Sequence, residues 1–173
     1  MKQVLPYGLI LAFICTVSAL ALAGVNYLTR PKIIAQMEKE ERQSLKELLP
    51  EAKEFALAKL KEDSLYKAYN RKGDFFAVVF KTKAKGYSSN IEILVAMTKE
   101  GKILAVKILS QNETPGLGTL IIEPEFRNQF INKWSFELDK IEAITGATIS
   151  SKAVIDSVRE KSVSIASLIK DEK

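Results

Sequence analysis

The chain has 173 residues, of which 47% are hydrophobic, and a net charge of +5. This length suits one domain with a core of its own. Acidic and basic residues are mixed, as in Glu38 to Arg42, and no basic stripe with interleaved aromatic residues occurs, so nucleic-acid binding is not expected. The chain contains no histidine, which excludes histidine-based catalysis and histidine metal sites. Its one cysteine, Cys15, excludes a disulfide framework, and we expect neither catalytic side chains nor a metal site.

The N-terminal segment is the first predicted element. Tyr7 to Leu28 is almost wholly apolar and uncharged, and as a helix it is about 33 Å long, enough for a hydrocarbon core of roughly 30 Å. We therefore predict a single transmembrane anchor over residues 1–29. The alternative is a cleavable signal peptide, because small residues recur near Ala21, but the apolar run is longer than such peptides need. Basic residues flank both ends, so charge leaves the orientation open.

A helical neck is predicted over residues 30–60. Pro31 to Leu49 has partial helical periodicity, and Pro31 suits a first helical position. Pro50 marks a break, after which Glu51 to Leu60 is interpreted as a short second helix.

Strands are predicted early in the remaining segment, residues 61–173. Phe75 to Tyr87 is rich in aromatic and β-branched residues. Ile91 to Thr98 and Ile103 to Leu109 are interpreted as a β-hairpin with Gly101 in its turn. The alternation is imperfect, which favours strands buried on both faces.

Two helices are predicted after the strands. Pro124 to Trp134 suggests a short helix opened by a proline, and Ile149 to Lys170 a long amphipathic one. The apolar stripe of the long helix includes Val154, Val158, Ile165 and Ile169. The fold class is therefore α+β, with a mainly antiparallel sheet and flanking helices after one transmembrane helix.

The loop ETPGLG, Glu113 to Gly118, could bring its backbone close to a ligand. Pro115–Gly116 is a strong type II turn signal in which Gly116 takes positive φ, and Gly118 adds a second position without a side chain. A plain loop after a strand is the simpler interpretation of these glycines.

The stretch TGAT, Thr145 to Thr148, precedes the long helix. Thr148 or Ser150 could simply cap that helix. The same place suits a phosphate on the Thr148 hydroxyl, because a helix N-terminus offers unpaired N–H groups and a positive dipole. Gly146 and Ala147 leave room for a bulky group.

The two motifs together resemble the FMN-binding domain family. TGAT, with Glu142 before it and Ile149-Ser150-Ser151 after it, resembles the family's flavinylation motif, and ETPGLG resembles its second signature. In this order, after a single anchor, they are similar to the G subunits of Rnf complexes, the ion-translocating ferredoxin:NAD oxidoreductases. The C subunits of sodium-translocating NADH:quinone oxidoreductases share both motifs but are typically longer. A non-redox membrane scaffold is a further alternative.

The resemblance implies a site and a setting. FMN would be joined through its phosphate to the hydroxyl of Thr148 by a flavin transferase that uses FAD and a divalent metal. The remaining residues implied at the cofactor are Thr145, Gly146, Ala147, Glu113, Thr114, Gly116, Leu117 and Gly118. The protein would carry electrons between membrane and iron–sulfur subunits, with its flavin domain outside the cytoplasmic membrane. Glu142 stands where aspartate is common, and Gln111–Asn112 where histidine is frequent.

Overall fold

The N-terminal part of the chain is one long helix. The computed structural model describes residues 4–60 and 63–171, and helix α1 runs through Val4–Leu48 with Pro31 inside it. Among the described residues, it is the one helix long and apolar enough to cross a membrane, with a mean hydropathy of 2.4 in its most apolar window. The helix predicted to begin at Pro31 is therefore a continuation of the anchor helix. Pro31 lacks one backbone hydrogen bond, and the helix-forming residues on either side continue the helix through it.

The chain divides into two compact units, Met1–Gln43 and Ser44–Lys173. The second unit begins within the last turn of α1. The helical neck predicted over residues 30–60 is helical only as far as Leu48.

The short helix predicted over Glu51 to Leu60 is wrong. Glu54–Leu60 form strand β1, which pairs along its whole length with strand β2, Asp63–Tyr69. Phe55 packs towards one face of the sheet and Ala58 towards the other. The alanine, leucine and lysine content of this segment favours a helix locally, and the pairing with β2 overrides that preference.

Within the described residues, five strands form one antiparallel meander in the order β1-β2-β3-β4-β5. Strands β3 to β5 comprise Phe75–Lys85, Asn90–Thr98 and Ile103–Ser110. The predicted β4–β5 hairpin is confirmed, and Gly101 in its turn has φ +104°. The predicted burial of both strand faces is also confirmed for β4, whose residues enter the cores on both sides of the sheet.

Each face of the sheet is covered by a helix. Helix α3, Thr148–Asp171, covers one face with the predicted stripe: Val154, Val158 and Ile165 are buried, and Ile169 packs beside them. The other face is covered by the end of α1 and the residue after it, through Leu45, Leu48 and Leu49. The α+β architecture predicted from the sequence is thus confirmed.

The segment between β5 and α3 consists of short turns of helix. The predicted helix over Pro124 to Trp134 is α-helical only in α2, Pro124–Arg127, and continues as a 3₁₀ turn over Asn128–Phe130. The end of this segment then bonds to the start of β5, where the Ile103 amide donates to the Lys133 carbonyl at 2.9 Å. This contact holds the connection between the two predicted motifs against the sheet.

Candidate functional site

The first motif forms a tight turn over Thr114–Leu117, called here the PG turn. The Leu117 amide donates to the Thr114 carbonyl at 3.2 Å, and Gly116 has φ +74°. Positive φ at the third residue but not at the second makes this a type II turn, as the Pro–Gly pair predicts. The Gly116 amide donates to the Thr119 hydroxyl at 2.9 Å, which holds the turn against the 3₁₀ helix that follows.

The second motif forms the same kind of turn over Ile144–Ala147, called here the TG turn. The Ala147 amide donates to the Ile144 carbonyl at 2.9 Å, and Gly146 has φ +81°. The buried hydroxyl of Ser151 accepts from the Ile144 amide at 3.1 Å and donates to the Ala147 carbonyl at 2.8 Å. Ser151 thereby fixes both ends of the turn to the first turn of α3.

The segment leading into the TG turn is held by Gln129. The Glu142 amide donates to Oε1 of Gln129 at 2.9 Å, and Nε2 of Gln129 donates to the Glu142 carbonyl at 3.4 Å. Glu142 itself is exposed, so its backbone, not its carboxylate, makes the contacts that the structure shows.

The two turns meet and form a cleft. A Cβ atom on Gly146 would lie 3.1 Å from Cδ2 of Leu117, so the TG turn lies directly against the PG turn. The cleft beside them has a volume of about 580 Å³, within the range of small-molecule sites. Its lining residues are Tyr87, Glu113, Thr114, Leu117, Gly118, Gly146, Ala147, Thr148, Ile149 and Ser150.

Thr148 is the first residue of α3 and is exposed at this cleft. No hydrogen bond from its hydroxyl to another residue is found in the described part of the chain. The predicted capping role is therefore wrong for both candidates: Ala147 precedes the helix, and Ser150 lies inside it with its hydroxyl bonded to Glu113. The Thr148 hydroxyl is left accessible at a helix N-terminus.

Glu113 is the buried centre of the site. Its Oε2 accepts from the Ser150 hydroxyl at 2.5 Å and from the Tyr87 amide at 3.0 Å. Its Oε1 accepts from the amides of Ser88 and Ser89 at 3.1 and 2.9 Å, and from the Ser89 hydroxyl at 3.3 Å. One carboxylate thus joins the β3–β4 connection, the PG turn and the start of α3.

These hydrogen bonds hold the carboxylate in its charged form. Burial raises the pKa of Glu113, but the hydrogen bonds from the Ser150 hydroxyl and from the amides of Ser89, Ser88 and Tyr87 outweigh burial and hold the pKa below the ordinary value of 4.5.

Two glycines allow this close packing around Glu113. A Cβ atom on Gly86 would lie 2.5 Å from Oε1 of Glu113, and one on Gly118 would lie 2.7 Å from its Cβ. At either distance a side chain would clash with Glu113 unless the residues packed around Glu113 moved apart. Gly118 is therefore required for packing around Glu113, which explains its place in the motif.

Comparison with known proteins places the chain in a family. Residues 86–161 match the model of the FMN-binding domain, and residues 1–48 match that of the RnfG N-terminal region. The G subunit of the proton-translocating ferredoxin:NAD(+) oxidoreductase complex of Clostridium ljungdahlii is 36% identical over 159 residues, which cover 87% of this chain and 85% of that protein. The chain belongs to the family of Rnf complex G subunits. The G subunit of the Na(+)-translocating ferredoxin:NAD(+) oxidoreductase complex of Acetobacterium woodii is 30% identical over 185 residues, covering 91% and 89% of the two chains.

Solved structures share the fold with this Rnf G-subunit relative. Shewanella oneidensis NqrC superposes with a TM-score of 0.56 at 19% identity, covering 71% of this chain and 73% of that one. The C subunit of the Na(+)-translocating NADH-quinone reductase from Parabacteroides distasonis gives 0.54 at 20% identity, covering 75% and 83%. At such identities the likeness concerns the fold.

The structure brings most of the predicted site residues together. Of the nine, seven line the cleft, whereas Thr145 and Gly116 lie in the TG and PG turns without lining it. Three further lining residues were not predicted to contact the cofactor: Tyr87, and Ile149 and Ser150, which the sequence showed only as residues following TGAT and, for Ser150, as a possible cap. Tyr87 directly follows Gly86 at the end of the run predicted as a strand, and an aromatic residue next to a glycine at that point is the sequence signal that could have identified it.

Proposed function

We propose that this protein is a membrane-anchored electron carrier with FMN joined through its phosphate to the Thr148 hydroxyl, within an ion-translocating ferredoxin:NAD oxidoreductase complex. The observation that carries the proposal is the accessible Thr148 hydroxyl, at the start of α3, in a cleft formed by both motifs. The relatives are G subunits of such complexes, which supports the setting.

The residues present suit FMN. The first amides of the 24-residue helix α3 have no partners within the helix, and its dipole favours an anionic phosphate there. Gly146 and Ala147 lack bulk beside the attachment point. When bound, FMN supplies the acceptance and release of electrons, whereas the protein binds it, orients it and sets its electrostatic surroundings.

We propose that attachment requires a flavin transferase. The Thr148 oxygen would form a bond to the FMN phosphorus of FAD, the bond to the AMP phosphate would break, and the hydroxyl proton would leave with AMP. The protein therefore gains the mass of FMN less one water. Membrane and iron–sulfur subunits are the proposed electron donors and acceptors.

Two alternative functions can be distinguished from the proposed one. A C subunit of a sodium-translocating NADH:quinone oxidoreductase is disfavoured by the RnfG N-terminal match and by the G-subunit relatives. A non-redox scaffold would bind no flavin. Co-purification with an iron–sulfur, ferredoxin-binding subunit supports the ferredoxin complex over the quinone complex.

The test of the proposal is Thr148→Val, produced together with a flavin transferase. This change keeps the side-chain shape and removes the attacking oxygen, so we expect complete loss of covalent flavin in intact mass and in ultraviolet fluorescence of denaturing gels. Because the hydroxyl makes no bond within the described structure, the loss of stability should be below about 0.5 kcal/mol. Flavin remaining on the variant and mapped to Thr145 or Ser150 would overturn the assignment.

We also propose that the compact C-terminal unit lies outside the cytoplasmic membrane, as the resemblance implies. Cys15 is the only cysteine, so a Lys173→Cys variant with Cys15 replaced carries one defined thiol. A thiol reagent that cannot cross the cytoplasmic membrane should label this thiol in intact cells whose outer layers let the reagent pass. Labelling only after lysis would place the unit in the cytoplasm.

A further inference from the structure

Three large apolar residues are exposed around the cleft. Tyr87, Leu117 and Ile149 are 71%, 45% and 58% exposed, and they come from three different segments of the chain. Nine large hydrophobic residues are exposed in the described part of the compact unit beyond Ser44, and a third of them line this one cleft. Such a concentration of apolar surface in a concave site indicates a ligand with an apolar, extended face.

Tyr87 is held in place by its backbone. Its amide donates to Oε2 of Glu113, the same oxygen that accepts the hydroxyl of Ser150 in the first turn of α3. Ser150 lies two residues after Thr148, so a shared carboxylate oxygen fixes Tyr87 next to the proposed attachment point. Gly86 before it cannot carry a side chain without displacing Glu113. The position of Tyr87 is therefore built into the site.

The side chain of Tyr87, unlike its backbone, has little structural role in the protein without a cofactor. It is largely exposed, and it takes part in no ring–ring contact among the described residues. An exposed tyrosine with a fixed backbone at the edge of a cleft offers a flat surface on which a planar ring can stack.

We propose that Tyr87 covers one face of the isoalloxazine ring, an inference that rests on the proposed attachment of FMN to Thr148. The phosphate lies at the start of α3, and the ring extends into the cleft where Tyr87, Leu117 and Ile149 supply the apolar contacts. Tyr87 is thus a cofactor-binding residue outside both sequence motifs, and Glu113 positions it.

The experiment compares Tyr87→Ala with Tyr87→Phe and with Phe136→Ala in the full-length flavinylated protein. Phe136 is the matched control, because it is 73% exposed but stacks on Trp134 and does not line the cleft. Intact mass first reports whether each protein carries flavin. Quenching of flavin fluorescence by acrylamide, a neutral probe, then reports how accessible the ring is to solvent.

Removing the cover from one face should raise the bimolecular rate constant of acrylamide quenching, which is the Stern–Volmer constant divided by the flavin fluorescence lifetime, by about twofold in Tyr87→Ala, because a bound ligand has most of its surface buried. Tyr87→Phe keeps the ring and should match the unsubstituted protein, as should Phe136→Ala. Equal quenching in all four proteins would overturn the inference while leaving FMN attachment intact. Loss of flavin from Tyr87→Ala alone would also overturn it, since Tyr87 would then act in attachment. Absence of flavin mass from the unsubstituted protein would instead refute the proposed function itself.

Discussion

The PG turn and the TG turn have the same backbone form but different surroundings. Each is a type II turn with glycine at its third residue and a hydrogen bond between its ends. The PG turn leads into a 3₁₀ helix of five residues, Gly118–Ile122, whereas the TG turn leads into the 24 residues of α3. Only a long helix has a substantial dipole, so only the TG turn places a hydroxyl where a phosphate is favoured.

The turns also differ in what lies against their glycines. No atom lies within 4 Å of where a Cβ on Gly116 would be, whereas a Cβ on Gly146 would meet Leu117 at 3.1 Å. The PG turn therefore contributes the Leu117 side chain to the cleft, whereas the TG turn leads directly to Thr148, the proposed attachment point. The turn type determines the backbone shape of each loop, whereas the helix that follows determines whether the end of the loop favours a phosphate.

Replacing Glu113 should have the largest effect, because Glu113, next to the PG turn, is bonded both to the β3–β4 connection and to the helix after the TG turn. Glu113→Gln keeps the shape but places an amide donor among donors, and each buried donor left without an acceptor costs about 1–3 kcal/mol. We expect a large fall in the urea midpoint of unfolding at pH 7. The fluorescence of Trp134, the only tryptophan, monitors this unfolding. Glu123→Gln, at an exposed position, is the matched control and should unfold like the parent.

Lowering the pH should remove the difference in urea midpoint between Glu113→Gln and the unsubstituted protein. Because the folded pKa of Glu113 lies below the ordinary value of 4.5, the carboxylate stabilises the fold above that value. This stabilisation is lost as the pH falls from 4.5 through the folded pKa. A gap between the two urea midpoints that stayed constant from pH 7 into this range would contradict the role assigned to the charge.

The two turn glycines sharpen the comparison as a matched pair. Gly116→Ala and Gly146→Ala each force a side chain into positive φ, at a cost of about 1–2 kcal/mol. Gly146→Ala must also displace the end of Leu117, so its fall in unfolding free energy should be the larger by a few tenths of a kcal/mol. Urea denaturation of both variants measures the difference. Equal or reversed values would show that the TG turn does not depend on its contact with Leu117.

Much of the fold could be predicted from local pattern, and the exceptions have a common cause. Strands β3 to β5 are rich in β-branched and aromatic residues, and the stripe on α3 has helical spacing, so both were predictable. Strand β1 is rich in good helix formers and is a strand only because β2 lies beside it. Strand β2, which was not predicted, is a short strand with only two fully buried hydrophobic residues, Leu65 and Ala68.

The candidate site shows the same division. The two glycine turns follow from their own residues, because type II geometry demands glycine locally. The role of Glu113 does not, since its partners Tyr87 and Ser150 lie 26 and 37 residues away in the chain. A serine at a helix start resembles a cap in sequence, and only the folded chain brings the Glu113 carboxylate to Ser150.

The smallest expected effect comes from Thr145→Ser, which tests the proposal that Thr148, and not Thr145, is the site of flavin attachment. Thr145 is exposed at the second residue of the turn and does not line the cleft, whereas Thr148 begins α3. If the Thr145 hydroxyl serves only recognition by the transferase, serine should replace it with flavin content unchanged. The change in unfolding free energy should stay within about 0.5 kcal/mol, as for other surface substitutions. Intact mass gives the flavin content, and peptide mapping should place the added mass at Thr148. Flavin lost from Thr145→Ser, or mapped to position 145, would contradict the assignment of recognition to the Thr145 hydroxyl and of attachment to the Thr148 hydroxyl.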